Sequence, residues 1–420
     1  MGHSTGIARR ARLVATTLMV AALLGAMVAA APGAHAAGSV LGKKDPAKGT
    51  PVKIGLITDG KTEGTDNSIE TPVAEATVEW INQYRGGIGG HPIELDICVT
   101  NGDPAKAGDC ANQMIQDDVA AVLFGSNRSL QNSWEPLDAA GIPMFSFASG
   151  YPTALADPDS TFIIGSGSAG LVNLNIGAAK NAKPKAKKVT VVAIDVPAAT
   201  DFYKTQAPAI FKEAGLDMEL VPVAAGTADM TPQMQKVVSE NPKGVVFVLG
   251  NDSFCIAAFN GLRTAGFEGT KTAIVQCLSD ATRTAVPADF LDGIQIQSTA
   301  PIDDPKDPSI KQYYAVLDKF GASDVDKSRI TGINMFQGVA GLDIATQTLK
   351  GEVTPESIKA AARAMPWTVV PGTGGLHAIC NGKVQAANPA VCMPGTLVAT
   401  LDATGKAKTY TATGDVEPSP

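Results

Sequence analysis

The stretch Thr161–Gly177, TFIIGSGSAGLVNLNIG, places an apolar run before the pattern G-x-G-x-x-G, whose glycines are Gly165, Gly167 and Gly170. A second apolar run, KVTVVAID, follows and ends in Asp195. This order is typical of a dinucleotide site, in which phosphates lie at a helix N-terminus and an acid binds the ribose. Such a site normally uses the first strand–helix turn of its domain, with the acid about 20 residues further on. Here the strand is about the fifth of a series and Asp195 comes 25 residues after Gly170, so we favour a hinge or turn at these glycines.

On both sides of this stretch, short apolar runs alternate with amphipathic segments of helical period. The runs before it are VKIGLI, PIELDICV, AAVLFG and IPMFSF, and the runs after it are KVTVVAID, MELVPV, KGVVFVLG and TAIVQC. Continuous apolar strands separated by helices predict parallel sheets covered by helices on both faces. Three helical stretches (about 309–320, 334–349 and 355–364) and a β-like end follow. The sequence therefore predicts an α/β protein with two similar units.

The N-terminus predicts export. A basic segment, ARRAR (residues 8–12), precedes an apolar stretch to about residue 31, and the small-residue motif AHA (34–36) follows. This is the pattern of a secretory signal peptide, residues 1–36, and a retained membrane anchor is the alternative. No cysteine lies near the cleavage site, so we expect an exported protein, periplasmic or extracellular, that is not lipid-anchored.

Charge and length limit the partners. Removal of residues 1–36 would leave 384 residues and take the formal net charge from −7 to −10, because the segment carries three arginines and no acid. A chain of that length exceeds what one hydrophobic core usually serves, so two domains are expected. An acidic chain without long basic runs does not favour nucleic acid or an anionic membrane as a partner. No other apolar stretch is long enough to span a bilayer, so we expect no membrane insertion after cleavage.

All six cysteines lie beyond the predicted signal peptide, and an even number in an exported protein indicates disulfides. Fifteen pairings of six cysteines are possible, and the positions favour neighbours along the chain. We predict three local bonds: Cys98–Cys110, Cys255–Cys277 and Cys380–Cys392. A metal cluster is the alternative, but there is no C-x-x-C motif and only His91 and His377 remain in the mature chain, so no metal is expected.

One longer stretch resembles a known family: GGIGGHPIELDICVTNGDPAKAGDCANQMIQDDVAAVLFGS, Gly86–Ser126. It contains the turn G-G-I-x-G (86–90), a helix start D-P-x-x-A (103–107) and an apolar strand that ends in glycine (119–125). This order is similar to that of the substrate-binding proteins of ABC importers, branched-chain amino acid type. AAGIPMFSFASGYPTA (139–154) resembles the family's next strand and ligand loop, and the resemblance extends from about residue 51 to 410.

The resemblance implies a type I periplasmic-binding-protein fold: two Rossmann-like lobes with parallel sheets, joined by three crossover hinge strands, with the ligand in the cleft between them. On this template the crossovers fall near 164–168, 297–301 and 370–375. The two lobes then comprise 51–165 with 300–370, and 166–299 with 371–412. The resemblance further implies capture of a small ligand by lobe closure and delivery to the membrane permease of an ABC importer. We expect no cofactor, and a monomer.

In open α/β sheets, ligands bind at the carboxyl ends of the strands. Site residues are therefore predicted in the loops after five strands: Ser126, Asn127, Arg128, Ser129, Ala148, Ser149, Gly150, Tyr151, Thr200, Asp201, Asn251, Asp252 and Asp280. The resemblance implies that Ser129 and the backbone of 148–150 hold a ligand carboxylate and that Asp280 holds its ammonium group. Arg128 is a further candidate partner for the carboxylate. Alternatively, Ser129 caps its helix, Arg128 points to solvent and Asp280 is a helix cap or a surface acid.

Two positions depart from the family pattern. Gly150 replaces a hydroxyl residue, and Ala199-Thr200 replaces an aromatic–glycine pair. An amide, another amino acid or a small organic acid is therefore as plausible a ligand as a branched-chain amino acid. Aromatic side chains that either line the cleft or belong to the core are Trp134, Phe147, Tyr151 and Phe202.

Two other functions are weighed against ligand capture for an importer. An enzyme is disfavoured because G-x-S-x-G, H-E-x-x-H and G-x-x-x-x-G-K-[ST] are absent and two histidines leave little general-base capacity. An NAD(P)-dependent enzyme would depend on the glycine pattern alone. A stand-alone ligand sensor of the same fold remains open, because the sequence does not separate a sensor from an importer subunit.

Overall fold

The first sheet is built from the apolar runs that precede Gly165. The computed structural model describes residues 40–62 and 65–419, so the predicted signal peptide, residues 1–36, lies outside the described residues. The strands are β1 (Val52–Thr58), β2 (Ile93–Val99), β3 (Val122–Phe124), β4 (Met144–Ser146) and β5 (Thr161–Ile163). They are parallel and lie in the order β2-β1-β3-β4-β5. Apolar side chains pack against both faces, as a parallel sheet between helices requires.

The second sheet is built mainly from the runs that follow Gly165. The remaining strands of the chain are β6 (Lys188–Ile194), β7 (Asp217–Val223), β8 (Val245–Leu249), β9 (Thr270–Ile274), β10 (Gln295–Ser298), β11 (Thr368–Val369), β12 (His377–Ala378), β13 (Thr396–Leu401) and β14 (Ala407–Thr413). Seven of them form a sheet in the order β14-β13-β10-β9-β8-β6-β7, and β11 pairs with β12 in a separate hairpin. β13 and β14 are antiparallel to their neighbours. This edge differs from the predicted parallel sheet because the short turn between β13 and β14 permits only an antiparallel pair.

The helices lie between the strands and cover both sheets. In chain order they are α1 (Glu70–Tyr84), α2 (Pro104–Gln116), α3 (Leu130–Ala139), α4 (Pro152–Leu155), α5 (Gly167–Asn181), α6 (Pro197–Thr205), α7 (Ala207–Glu213), α8 (Thr231–Glu240), α9 (Asp252–Thr264), α10 (Asp280–Ala285), α11 (Ala288–Leu291), α12 (Pro308–Lys319), α13 (Ile330–Thr346) and α14 (Pro355–Arg363). Helices α1–α4 and α12–α14 pack around the first sheet, and α5–α11 around the second. The apolar helix α13 is buried on nearly every side, which its lack of a polar face predicts.

The glycines of the opening stretch lie where the chain passes from the first sheet to the second. Gly165 donates its N–H to the carbonyl oxygen of Phe147 at 2.9 Å, and a Cβ at this position would stand 2.4 Å from that oxygen. A Cβ on Gly170 would stand 3.0 Å from the Cβ of Thr396 in β13. Gly167 has φ +57°, a conformation that side chains disfavour. Close backbone packing at a crossover therefore explains the G-x-G-x-x-G pattern.

The chain crosses between the sheets twice more. β10 lies in the second sheet whereas Ala300, two residues beyond it, packs in the core of the first, which agrees with a crossover at 297–301. The third crossover differs from the prediction of 370–375. The β11–β12 hairpin packs in the first core, and Cys392 donates its N–H to the carbonyl of Ile163 in β5 at 2.8 Å. We therefore propose the third crossover near 393–396, and the exact lobe boundaries stay a prediction.

The residues beyond β14 return to the β11–β12 hairpin. The carboxylate of Asp415 accepts the N–H of His377 at 3.0 Å, and its second oxygen lies 2.9 Å from Nδ1 of the same residue. The imidazole ring stacks on Trp367, with the ring centroids 4.9 Å apart. Asp415, which follows the last strand of the second sheet, is thereby bound to a hairpin of the first core.

The three predicted disulfides, Cys98–Cys110, Cys255–Cys277 and Cys380–Cys392, are confirmed. The first joins the end of β2 to α2. The second joins the first turn of α9 to a 3-10 turn after β9, and the third closes the loop that follows β12. Because each closes a short loop, each stabilises the fold by on the order of 3 kcal/mol.

Gly165→Ala should destabilise the protein by roughly 1–3 kcal/mol, because the new Cβ has no room beside a backbone oxygen that cannot move freely. Gly177→Ala is the matched control. It lies in α5, nothing stands within 4 Å of its added Cβ, and it should stabilise by roughly 0.5–1 kcal/mol. Urea unfolding followed by circular dichroism measures both. Equal midpoints for the two variants would contradict the packing argument.

One ion pair lies inside the first core. Asp343 on α13 is 2% exposed and pairs with Arg85 at the end of α1, whose guanidinium lies over the ring of Trp80. Burial raises the pKa of Asp343 to about 6, although Arg85 acts in the opposite direction. The folded protein therefore holds this proton more tightly than the unfolded chain, in which an aspartate has a pKa of about 3.9.

Asp343→Asn should remove a pH-dependent contribution to stability. Because the folded-state pKa is raised, the stability that Asp343 contributes relative to Asn is fully present below about pH 4 and is lost as the pH rises through about 6. The difference in Tm between wild type and variant, measured by calorimetry, should fall over this range. The exposed Asp109→Asn on α2 serves as control with a flat difference. A flat difference for Asp343→Asn as well would refute the expected linkage.

Candidate ligand-binding site

Each predicted site residue lies at or beyond the carboxyl end of a strand. Ser126–Ser129 lie between β3 and α3, and Ala148–Tyr151 lie between β4 and α4. On the second sheet the positions are Thr200 and Asp201 within α6, Asn251 just before α9, and Asp252 and Asp280 as the first residues of α9 and α10. Because β3 and β4 are adjacent in one sheet and β6, β8 and β9 are adjacent in the other, each sheet brings its loops to one edge.

Ser126 is bound by another residue of the chain. Its N–H, at 3.0 Å, and its hydroxyl, at 2.7 Å, both donate to the carboxylate of Glu70 at the start of α1. Thr58, the last residue of β1, donates its hydroxyl to the same carboxylate. Glu70 is 4% exposed, and burial raises its pKa; the hydrogen bonds oppose the shift and nearby Asp59 adds to it. A ligand at Ser126 would have to compete with this internal carboxylate.

Arg128 is held by the protein rather than pointing freely to solvent. Its backbone N–H donates to Asp59 at 2.9 Å, and its Nε lies 3.5 Å from the same carboxylate oxygen. Its Nη2 donates to the hydroxyls of Thr62 and Thr65 at 2.9 and 3.1 Å. About half of the side chain stays exposed, and its role toward a ligand carboxylate stays a prediction.

Ser129 and the loop after β4 carry donors without a partner. Ser129 precedes α3 but makes no side-chain cap hydrogen bond, and its hydroxyl has no partner among the described residues although the residue is only 8% exposed. The N–H groups of Ala148, Ser149 and Gly150 likewise donate no hydrogen bond within the described part of the chain. Polar groups as buried as Ser129 normally find a partner, whereas Ala148 and Gly150 are exposed and their N–H groups are open to water or a ligand. These donors are the ones that the resemblance assigns to a ligand carboxylate.

The aromatic candidates divide between the core and the loops. Trp134 is buried and donates its indole N–H to a hydroxyl of β5 at 2.9 Å. Tyr151 packs edge-on against it, with the ring centroids 5.7 Å apart, and donates its hydroxyl to Glu135 at 2.9 Å. Phe147 and Phe202 are half-buried. Trp134 is therefore a core residue, whereas the other three keep exposed surface beside the strand ends.

Two predicted site residues on the second sheet have structural partners. Thr200 is fully buried, and its hydroxyl donates to a backbone carbonyl one turn earlier at 3.1 Å and accepts from Lys204 at 3.0 Å. Asn251 caps α9 by accepting the N–H of Phe254 at 3.1 Å. Asp201 is half-buried, and its carboxylate has no partner among the described residues. Thr200 and Asn251 therefore shape the loops, while Asp201 keeps its carboxylate available.

Asp280 is a surface acid with a partner of its own. It is 81% exposed and pairs with Arg283 at 3.1 Å. Arg283 also makes two hydrogen bonds, of 2.8 and 2.9 Å, to Asp303 and donates to the carbonyl of Gly405 at 3.1 Å. Asp303 lies just beyond the second crossover, so Arg283 links the loop after β9 to that crossover. The ammonium-binding role of Asp280 stays a prediction, and a ligand would compete with Arg283 for it.

Asp252 is the acid of the second sheet whose surroundings include charges from the first core. Its side chain is exposed, yet desolvation by the surrounding protein raises its pKa; Ser279 and Arg329 oppose this shift and Asp326 reinforces it. Arg329 and Asp326 directly precede α13, which belongs to the first core. Asp252 therefore lies where loops of the second sheet approach the first core.

Residues 51–391 match the family model described as periplasmic binding protein. The chain belongs to the periplasmic binding protein family. The matched segment contains both sheets except β13 and β14, and it includes every predicted site residue.

Solved structures agree with this family. An extracellular ligand-binding receptor from Verminephrobacter eiseniae superposes with a TM-score of 0.69 at 14% identity, over 86% of this chain and 100% of that one. A fatty acid ABC transporter substrate-binding protein from Thermomonospora curvata gives 0.67 at 17% identity, over 90% and 95%. A branched-chain amino acid transporter substrate-binding protein from Streptococcus pneumoniae, in complex with isoleucine, gives 0.64 at 18% identity, over 86% and 99%. No protein of curated function matches the sequence. The predicted two-lobe, type I periplasmic-binding-protein fold is confirmed.

None of the helices in residues 40–62 and 65–419 of this periplasmic binding protein combines the length and the apolar character that a bilayer span needs. The same residues contain no group of three or more His, Cys, Asp or Glu side chains placed to hold a metal ion.

Four charged residues of the site region were missed by sequence reasoning: Asp59, Glu70, Arg283 and Arg329. Asp59 follows β1 directly, so the strand-end rule identifies it once it is applied to the first strand as well. Glu70 and Arg283 lie in helices, and Arg329 precedes one. Their roles depend on partners distant in sequence, for which a single sequence carries no signal.

Arg283→Gln should destabilise this periplasmic binding protein by roughly 3–5 kcal/mol, because it leaves the buried carboxylate of Asp303 without its cation. The two side chains are 12% and 9% exposed. Arg363→Gln is the control: its pair with Asp159 spans 2.7 Å, but those side chains are 43% and 77% exposed. The control should cost less than about 1 kcal/mol. Urea midpoints that fall equally for both variants would contradict this ranking.

Proposed function

We propose that this periplasmic binding protein is an extracytoplasmic solute-binding protein that captures a small polar ligand and delivers it to an ABC importer. The ligand is an amino acid, an amide or a small organic acid. One observation carries the proposal. The loops of the first sheet hold donors without a partner, on Ser129 and the backbone of 148–150, and a loop of the second sheet holds the acid Asp252. A ligand with an acceptor at one end and an ammonium or amide N–H at the other suits both edges.

The proposed mechanism is binding without chemistry. Open and closed arrangements of the lobes coexist, and the ligand contacts both lobes only in the closed arrangement. Its higher affinity for the closed arrangement shifts the population toward closure. The glycine-containing crossover at 164–168 absorbs the change in backbone dihedral angles.

Asp252 is a better candidate than Asp280 for the ammonium group. Asp280 already pairs with Arg283, so a ligand cation would have to replace that partner. Desolvation raises the pKa of Asp252, and a ligand cation would offset that cost. Arg329 lies near Asp252 from the side of the first core, and its positive charge works against the binding of a ligand cation there.

The solved structures support a ligand with an acceptor head group. One was solved with isoleucine, and another is named for fatty acids; both ligands carry a carboxylate. The unpartnered N–H groups after β4 suit such a group, and Ser129 adds a hydroxyl. Gly150 contributes only its backbone, so the hydroxyl donor that the resemblance implies at that position is missing, and a neutral amide is accommodated as readily as a carboxylate.

The cellular setting follows from the family and the signal peptide. We propose an exported protein, periplasmic or extracellular, that is not lipid-anchored and works as a monomer without a cofactor. Its partner is the membrane permease of an ABC importer. It has no catalytic role in this proposal. Loss of uptake on deletion, restored by the intact chain, supports the importer; normal uptake with a lost ligand response favours a stand-alone sensor.

The ligand class is tested on residues 37–420 by thermal shift and calorimetry with L-isoleucine, L-isoleucinamide and isovalerate. At least one should raise the Tm and alter the small-angle scattering curve, since closure compacts the protein. Asp252→Asn should weaken L-isoleucine by about tenfold or more and leave isovalerate, which lacks the ammonium group, nearly unchanged. Asp280→Asn is the matched control and should weaken neither.

Three outcomes would overturn parts of this proposal. If Asp280→Asn weakens L-isoleucine binding and Asp252→Asn does not, then Asp280 and not Asp252 binds the ammonium group. No binding of any of the three probes would exclude the proposed ligand class. Stoichiometric binding of NAD⁺ would favour the enzyme alternative.

A further inference from the structure

Two buried carboxylates accept hydrogen bonds from the loop after β3. Glu70 and Asp59 are 4% and 3% exposed. Glu70 accepts both donors of Ser126, and the backbone N–H of Asp59 donates to the carbonyl of Ser126 at 2.7 Å. The Asp59 carboxylate then accepts the N–H of Arg128 at 2.9 Å and the hydroxyl of Thr100 at 2.6 Å. Every hydrogen-bonding group of Ser126 is therefore fixed from the β1 side.

The residue that follows β3 leaves space for the side chain of Glu70. A Cβ on Gly125, the residue before the loop, would stand 2.4 Å from a carboxylate oxygen of Glu70 and 3.0 Å from the methyl carbon of Met335 on α13. Only glycine leaves room there for the carboxylate. Gly125 in the sequence VLFGS at the end of β3 thus leaves room for the carboxylate of Glu70, which lies 56 residues before Ser126 along the chain.

Asn127 braces the rest of the loop. Its side-chain oxygen accepts the N–H of Ser129 at 2.9 Å, and its amide nitrogen donates to Ser133 at 3.3 Å. Among the described residues, the backbone and hydroxyl donors of this loop that remain without any partner are the N–H of Asn127 and the hydroxyl of Ser129. The internal acids therefore decide which donors of the loop stay available to a ligand.

We propose that Glu70 and Asp59 are positioning residues for ligand capture: they hold residues 126–129 in one conformation that presents the N–H of Asn127 and the hydroxyl of Ser129. The assignment of this loop to ligand binding rests on the proposed function. The advantage is preorganisation, because a loop that is already fixed loses no further conformational entropy when the ligand binds. A second consequence concerns charge. Two carboxylates and one guanidinium beneath the loop disfavour a dianionic head group such as phosphate.

A carboxylate is required at Glu70 because it faces donors only. The backbone N–H of Ser126 cannot turn away, whereas the hydroxyls of Ser126 and Thr58 can rotate. A glutamine has one acceptor and one donor group, so its NH₂ would meet a donor or leave a hydroxyl unpaired. Protonation of Glu70 has a similar effect. The groups around it are Thr58 of β1, Gly125 at the end of β3, Ser126 of the loop and Met335 of α13, with Asp59 as the nearby charge.

Hydrogen exchange of the ligand-free mature protein tests the proposal, with peptides covering 122–130 compared between wild type, Glu70→Gln and Glu75→Gln. Glu75 is an exposed glutamate on the same helix and serves as the matched control. Glu70→Gln should lower the protection of this loop by about tenfold or more while other peptides of the first core keep theirs. In wild type, protection corrected for intrinsic exchange should also fall as the pH is lowered and Glu70 takes up a proton. In Glu70→Gln this pH step should be absent, and in Glu75→Gln it should persist.

Loop protection in Glu70→Gln within about twofold of the Glu75→Gln value, or an unchanged pH step, would overturn the positioning role. If Glu70→Gln fails to fold, Thr58→Val takes its place, because it removes one donor and keeps the carboxylate. That variant should move the pH step upward, since a poorly solvated carboxylate protonates more readily. An unmoved step would again overturn the proposal. No ligand is used, so the result stands whether or not L-isoleucine, L-isoleucinamide or isovalerate binds.

Discussion

The backbone N–H of Gly165 donates to the carbonyl oxygen of Phe147, which extends the β4–β5 pairing to the point where the chain leaves the first sheet. Each sheet has its own helices and its own core. A small set of chain crossings connects them, and just beyond the first crossing Gly170 in α5 packs against the side chain of Thr396 in β13. A larger side chain would not fit at either glycine. The glycines that resemble a cofactor fingerprint are therefore needed for the architecture itself.

Buried acids determine what the site offers to a ligand. Glu70 and Asp59 occupy donors of the loop after β3, and Asp303 occupies much of Arg283 on the second sheet. Hydrogen bonds of this kind fix the shape of the loops, and the protein donors that they use are no longer available to a ligand. The groups left over, on Ser129 and on the loop after β4, are few.

The sequence was a good guide wherever the relevant contacts are local. Apolar runs marked β1 to β9 because buried parallel strands need continuous apolar side chains, and the disulfides were predictable because each bond joins near neighbours. The sequence carried no sign of a third crossover beyond 370–375, since the hydrogen bond of Cys392 to Ile163 connects segments that are distant in sequence and share no pattern. The strand-end rule placed the candidate loops at the carboxyl ends of the strands, and their role in ligand binding stays a prediction. It did not reveal that Ser126, Thr200 and Asp280 already have partners within the chain, because those partners are found only once the chain has folded.

The route of the chain has a consequence for biosynthesis. The second sheet receives its edge strands β13 and β14 last, and Asp415 beyond them is fixed to His377. The first sheet, begun earliest, needs α12 to α14 and the pairing with Val391 before its core closes. Neither half is complete until almost the whole polypeptide has been made. A nascent chain of this topology therefore cannot complete either sheet before the segments up to β13 and β14 and the pairing with Val391 are available.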